Sequence, residues 1–159
     1  MEFHFCPKCA TALVDHFEEG RTRRACPKAG CGFIYYGNPT PVVAAIVELE
    51  GEIVLVRAHG WPEKFFGLVT GFLEAAETPQ QGALREVKEE LGLDAQLVSL
   101  VGAYSFEMKN EVIIAFHVKA QGAVTLGAEL SAFKRIAPAR LRAWEFGTGL
   151  AVRDWLAAR

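Results

Sequence analysis

No apolar run in this chain approaches the ~20 residues that a membrane-spanning helix needs, so a helical membrane protein is not expected. Basic residues are not in excess. Seventeen Lys and Arg stand against 19 Asp and Glu, a net charge of −2, and that is not the footprint of a general nucleic-acid binder. The one basic cluster, Arg21, Arg23, Arg24 and Lys28, reads as a solvated hairpin. Proline is missing between Gln80 and Ala137, and there are no internal repeats or low-complexity stretches. The opening Met1-Glu2-Phe3-His4 lacks the basic start and apolar core of a secretory leader, so a cytoplasmic location with reduced thiols is expected. Cysteine is scarce and confined, with none beyond Cys31.

The four cysteines form two close pairs, Cys6-Pro7-Lys8-Cys9 and Cys26-Pro27-Lys28-Ala29-Gly30-Cys31. Two disulfides or a redox pair are the alternatives to a metal. A reducing compartment and paired knuckles near glycine favour a tetrahedral four-thiolate Zn²⁺ site in a zinc ribbon, with the second knuckle widened. So short a segment has little core, and the metal would supply its folding energy. The expected organisation is a ribbon over residues 1–36, a turn-rich joint at Tyr35–Pro41, and a larger domain over residues 40–159.

Within the larger domain, residues 71–93 read GFLEAAETPQQGALREVKEELGL. Thr78 is a good N-cap, Pro79 suits the first helical position, Gln81 completes a capping box, and Gly92 is a natural stop. Ala83, Leu84, Val87 and Leu91 supply an apolar face. Glu86, Glu89 and Glu90 fall at i, i+3 and i+4 and share one side, where each like-charge pair costs about 0.2–0.5 kcal/mol. A solvated amphipathic helix is the plainer explanation of one such segment. Divalent cations are the chemical one: hard carboxylate oxygens suit Mg²⁺ or Mn²⁺. Around this helix, the apolar run Val42–Leu49 predicts a strand buried on both faces. Further strands are expected over 53–57, 96–104 and 111–120, with a closing helix within 144–156. The mixture predicts an α/β sandwich.

The segment resembles the Nudix box at Gly71, Glu77, Arg85, Glu86, Val87, Glu89, Glu90, Gly92 and Leu93, with strand, loop and helix in the expected order. The resemblance implies a Nudix-type α/β/α sandwich with a mixed sheet. It also implies hydrolysis of a nucleoside diphosphate linked to a second group, with Mg²⁺ or Mn²⁺. It assigns metal-ligand roles to Glu86, Glu89, Glu90 and the Gly71 carbonyl, and an orienting role to Arg85. Glu77 is supportive, and the general base, a box glutamate such as Glu86 or Glu89 or one outside, is left open.

A ribbon ahead of such a domain resembles the NADH pyrophosphatases that also remove NAD caps from RNA, and related ADP-ribose and FAD pyrophosphatases. In the first group an acid-Leu pair beyond the box adds a metal carboxylate, a place matched by Glu129-Leu130 ahead of Glu107 and Glu111. Ala103–Lys109 replaces that group's proline- and tryptophan-rich motif, which argues against strong NADH selectivity. Ala76 stands where glycine commonly precedes the first box glutamate. Phe66, Tyr104 and Phe106 are the expected substrate-binding rings, with Trp61 and Phe65 nearby, and His59 reads as a solvated loop residue. The implied partner is a small nucleotide; nucleic acid would enter only as capped RNA, and a homodimer is compatible. Two rivals stand beside the hydrolase. A nucleotide sensor acting through its zinc ribbon has no need of three metal carboxylates. A prenyl-diphosphate isomerase lacks its cysteine here.

Overall fold

Thiols, rather than a large apolar core, organise the start of the chain. A computed structural model describes residues 3–159, and the chain divides into two compact units, one ending at Asn38 and the other running Pro39–Arg159. In the first, β1 (Val14–Glu18) and β2 (Arg21–Ala25) form a hairpin, and β3 (Ile34–Tyr35) pairs with β2. The turn uses Glu19 and Gly20, both at positive φ. Cys6, Leu13 and Ala25 are its buried apolar residues among those described, whereas Phe5 and Phe17 are exposed.

The second unit holds a six-stranded mixed sheet. Its strands are β4 (Thr40–Leu49), β5 (Glu52–Ala58), β6 (Val69–Phe72), β7 (Asp94–Phe106), β8 (Glu111–Gln121) and β9 (Leu130–Ile136). The order is β7-β8-β4-β5-β9, with β6 paired to β4. β4 runs parallel to β8 and antiparallel to β5 and β6. It is the central strand, as its unbroken apolar run demands.

Successive side chains of a strand point to opposite faces, and β4 uses both. Val43, Ala45, Val47 and Leu49 pack with Ala83, Val87 and Leu91 of α1 (Pro79–Leu91). Val42, Ala44 and Ile46 pack with Ala151, Val152 and Trp155 of α2 (Gly149–Ala157). The result is an α/β/α sandwich with one helix on each face. Strand β9 is not among the expected elements, and β7 extends further at both ends than residues 96–104.

Helix α1 begins and ends where its sequence dictates. Gln81 N–H donates to Thr78 Oγ1 at 3.2 Å and Thr78 N–H to Gln81 Oε1 at 2.8 Å, closing the capping box. Gly92 caps the far end in the left-handed region at φ +69. Its buried residues Ala83, Val87 and Leu91 recur every fourth position and seat it on the sheet, leaving Glu89 exposed and Glu86 and Glu90 half-buried.

Candidate functional site

Arg85 is the hub of the carboxylate face. Its Nε and Nη2 donate to the two Glu77 oxygens at 3.1 and 2.7 Å, and Nη1 donates to Glu86 at 2.6 Å and Glu89 at 3.0 Å. Nη2 also reaches the Phe72 carbonyl at 3.1 Å. One planar fork thus ties the box loop, strand β6 and two turns of α1 together, a geometry that lysine cannot supply. Glu77 takes a further hydrogen bond from Glu74 N–H at 2.8 Å. Hydrogen bonds from Arg85, then from Glu74, hold Glu77 down to about 2, so it stays a carboxylate. The preceding residue, Ala76, sits at φ +67, a conformation that costs an L-residue about 1–2 kcal/mol.

Glycine at position 71 has a packing cause: a Cβ there would fall on the Glu86 carboxylate. The absent side chain lets Glu86 lie directly against the β6 backbone.

Together these groups border a cleft of about 590 Å³. Six carboxylates line it: Glu74, Glu86, Glu89, Glu90, Glu111 and Glu129. Glu90 is the most burdened. Its Oε2 is buried and has no hydrogen-bond partner. Burial first, then the charges of Glu86, Glu129 and Glu89, push it up to about 8. A buried polar atom left unpartnered is costly, and a cation shared by these oxygens removes both the desolvation and the repulsion. Oxygen-only donors fit a hard divalent ion such as Mg²⁺ or Mn²⁺.

Glu129 arrives from outside the box. The loop after β8 docks on the end of α1: Thr125 N–H donates to the Leu91 carbonyl at 2.8 Å and Gly127 N–H to the Glu90 carbonyl at 2.8 Å. These bonds satisfy carbonyls that a helix end leaves open. Gly127 permits the approach, since a Cβ there would stand 2.5 Å from the Glu89 carbonyl oxygen. Sequence spacing carries no trace of this docking.

The expected substrate-binding rings separate. Beside the acid cleft lies a second cavity of about 260 Å³, walled by Trp61, Phe65, Phe106, Trp144 and Phe146. Phe106 is there. Phe66 instead lies beneath the cations of Lys134 and Arg57, 4.4 and 5.5 Å from its centroid. Tyr104 donates to Asp154 at 3.0 Å and packs on the α2 side of the sheet; burial, then Asp154, raises it to about 12. Trp144 and Phe146, which the sequence offers only as part of a closing helix, lie in the segment ahead of α2. His59 lines neither cavity.

In the N-terminal unit the four sulfur atoms lie within 4.8 Å of one another. Cys6 and Cys31 are 3.6 Å apart, Cys9 and Cys26 3.5 Å, and Cys9 and Cys31 3.6 Å. A tetrahedron with ~2.3 Å Zn–S bonds has edges near these lengths. Hydrogen bonding with the Thr11 side chain, then with its backbone, holds Cys9 down to about 6, while burial leads in raising Cys26. Neighbouring thiols cannot all ionise without a cation among them, and zinc fits that requirement. The two extra residues of the second knuckle form a turn in which Cys31 N–H donates to the Lys28 carbonyl at 3.1 Å.

The NUDIX domain model matches residues 37–153. The NAD-capped RNA hydrolase NudC of Pseudomonas aeruginosa is 26% identical over 115 residues, 72% of this chain and 40% of that protein. The NAD-capped RNA hydrolase NudC of Mycobacterium tuberculosis is 32% identical over 76 residues, 48% of this chain and 24% of that one. The chain therefore spans well under half the length of these curated relatives. A crystal structure of a NUDIX hydrolase from Nitrosomonas europaea superposes with a TM-score of 0.76 at 28% identity, covering 87% of this chain and 80% of that one. An ADP-ribose pyrophosphatase from Streptococcus suis shares the fold at a TM-score of 0.62 and 19% identity, covering 76% and 92%.

Proposed function

The chain belongs to the NUDIX family, and on that premise we propose that it hydrolyses the pyrophosphate bond of nucleoside diphosphates linked to a second group. The substrates are ADP-X compounds such as NAD(H), FAD or ADP-ribose, and AMP is released. The observation that carries this reading is the buried, unpartnered Oε2 of Glu90 among the charges of Glu86, Glu129 and Glu89 in the acid cleft.

Glu86, Glu89, Glu90, Glu129 and the Gly71 carbonyl would hold the divalent ions. When bound, such ions screen the anhydride's negative charge and orient an attacking water. Arg85 holds Glu86 and Glu89 in fixed rotamers, so less side-chain freedom is lost when the site is filled. A carboxylate of the cleft takes the water's proton, and Glu111 and Glu129 join the box glutamates as candidates for that role. Nothing in the acid cleft reads the X group, so selectivity rests on the surrounding pocket. In the N-terminal unit the four thiolates hold a structural Zn²⁺.

The likeness to NAD-capped RNA hydrolases supports NAD-capped RNA as a further substrate. The replaced proline- and tryptophan-rich segment, Ala103–Lys109, supports modest rather than strict NADH preference. The test is kcat/KM over NADH, NAD, FAD, ADP-ribose, diadenosine polyphosphates and NAD-capped RNA with Mg²⁺ and with Mn²⁺. AMP should be the common product from the small ADP-X substrates, with rates varying modestly in X. A preference for NADH above ~10³-fold would mean a dedicated nicotinamide site. No turnover of any ADP-X compound would turn the reading toward a nucleotide sensor.

A further inference from the structure

Phe66 was expected to read substrate, yet it lines neither cavity. Its ring carries two cations instead. Lys134 Nζ lies 4.4 Å from the centroid and the Arg57 guanidinium carbon 5.5 Å. Lys134 stands directly opposite Leu55 in the β5–β9 ladder, and Leu55 packs on the α2 side of the sheet, as Phe66 does. Arg57, two residues after Leu55, belongs to the same face. Strand β5, the β5–β6 loop and strand β9 thus bring one residue each to a rim where Lys134 is exposed and Arg57 and Phe66 are half-buried.

Neutral groups hold Arg57 in place. Its Nε donates to Ser131 Oγ at 3.1 Å and its Nη1 to the Glu63 carbonyl at 2.8 Å, and Ser131 Oγ donates to the Arg57 carbonyl at 3.1 Å. Neither Arg57 nor Lys134 has a carboxylate partner among the described residues. Other cations of this unit are neutralised. Arg135, next to Lys134 but on the α1 side of β9, pairs with Glu50 and Glu52 at 2.9 Å each. Arg85, Lys88 and Arg153 also have carboxylate partners. Each exposed cation–π contact is worth about 0.5–1 kcal/mol, but two like charges on one ring repel. An anion set between them removes the repulsion and keeps both ring contacts. The rim also borders the acid cleft: Ser131 comes two residues after the cleft residue Glu129, whose carbonyl accepts from His59 N–H at 3.0 Å.

We propose that Arg57, Lys134 and the Phe66 ring form a docking surface for the phosphodiester backbone of a single-stranded RNA whose capped end occupies the acid cleft. This rests on the reading of NAD-capped RNA as a substrate and deepens it. Lys134 and the N–H groups that Arg57 has not committed pair with backbone phosphates, and the ring holds the two cations side by side. The surface is open, so it suits a chain passing over it rather than a small anion that needs enclosure. Contacts to phosphate carry no base identity, so any sequence is accepted. With a net charge of −2, the chain holds free RNA weakly. A strand anchored by its cap meets the two cations at a high effective concentration.

Binding tests this without turnover. A fluorescent single-stranded RNA with a 5′ monophosphate is titrated with the full chain in chelator, and its anisotropy is followed at several NaCl concentrations. Affinity should fall as salt rises. Lys134→Met should lower the slope of log affinity against log salt by about 0.7, the value for one phosphate contact on a single strand, and so weaken binding about fivefold near ~0.1 M salt. Lys134→Arg should restore both. Lys119→Met removes an exposed lysine of β8, outside the rim, and should change neither. In turnover, Lys134→Met should raise KM for NAD-capped RNA by the same factor, with kcat and the KM for NAD unchanged. The surface would be overturned by any of three results: no salt-dependent binding to the native chain, an equal loss in Lys119→Met, or an unchanged KM for capped RNA in Lys134→Met. Binding as described without hydrolysis of NAD-capped RNA would instead overturn the capped-RNA reading and leave the surface standing.

Discussion

At the scale of single residues, Arg85 and Glu90 do opposite things. Arg85 neutralises and aligns, while Glu90 is left with a buried oxygen that has no partner. Arg85→Lys keeps the charge but loses the fork that reaches Glu77, Glu86, Glu89 and the Phe72 carbonyl. It should lower kcat by at least ~10-fold with the fold retained, because the carboxylates lose their shared anchor; circular dichroism alongside initial rates checks both, and an unchanged kcat would remove the orienting role. Glu90 gives a pH prediction. Its folded pKa of about 8 lies above the ordinary 4.5, so the folded chain holds a proton that the unfolded chain releases. The stability linked to this group is complete below pH 4.5 and is lost as pH rises toward 8. A divalent ion takes the proton's place. The rise in melting temperature on replacing chelator with saturating Mg²⁺ should therefore be larger near pH 8 than near pH 4.5. Equal increments would contradict the placement of the cation on Glu90.

At the scale of elements, what the sequence reveals and what it hides separate along a physical line. Helix α1 is readable to the residue because its caps are side-chain chemistry, Thr78, Gln81 and Gly92, written locally. Strand β4 is readable because both its faces are buried. Strand β9 is not: Ser131-Ala132-Phe133-Lys134-Arg135 has no clean alternation, since the strand is an edge with both faces partly wet. The docking of the 122–129 loop is equally invisible because it is made of backbone hydrogen bonds to the Glu90 and Leu91 carbonyls. That docking has a test. Gly127→Val would drive a side chain into the Glu89 carbonyl and lift the loop, drawing Glu129 away from Glu90. Metal affinity should fall by about tenfold or more while the apolar core stays intact, which Mg²⁺ titration followed by melting temperature can read. Unaltered affinity would mean that Glu129 does not share the site.

At the scale of the whole molecule, two units carry two kinds of donor set. Soft thiolates gather in the first and hard carboxylates in the second. The first buries few apolar side chains, so its stability should come from zinc. Purified chain should carry about one zinc per molecule, and a zinc-selective chelator should expose the ribbon to protease while leaving the second unit resistant. Zinc-free protein with oxidised cysteines would contradict this. The box, the central strand, the two helices and the cysteine set were legible from the order of residues. Of the aromatic cavity, Trp61, Phe65 and Phe106 were among the expected rings, but Trp144 and Phe146 were not, because they join the others only after the sheet brings three distant segments to one end.

The central claim is that the α1 glutamates hold the divalent ions on which anhydride hydrolysis depends. Its most direct measurement is AMP release from ADP-ribose as Mg²⁺ is titrated into the native chain and into Glu90→Gln. The account predicts rates that rise from zero and saturate with Mg²⁺ in the native chain. In the variant it predicts a kcat at least ~10²-fold lower, a barrier higher by about 2.7 kcal/mol, with folding intact or improved because a group that cannot ionise replaces one crowded by Glu86, Glu129 and Glu89. Magnesium-independent hydrolysis, or near-native turnover by Glu90→Gln, would contradict it.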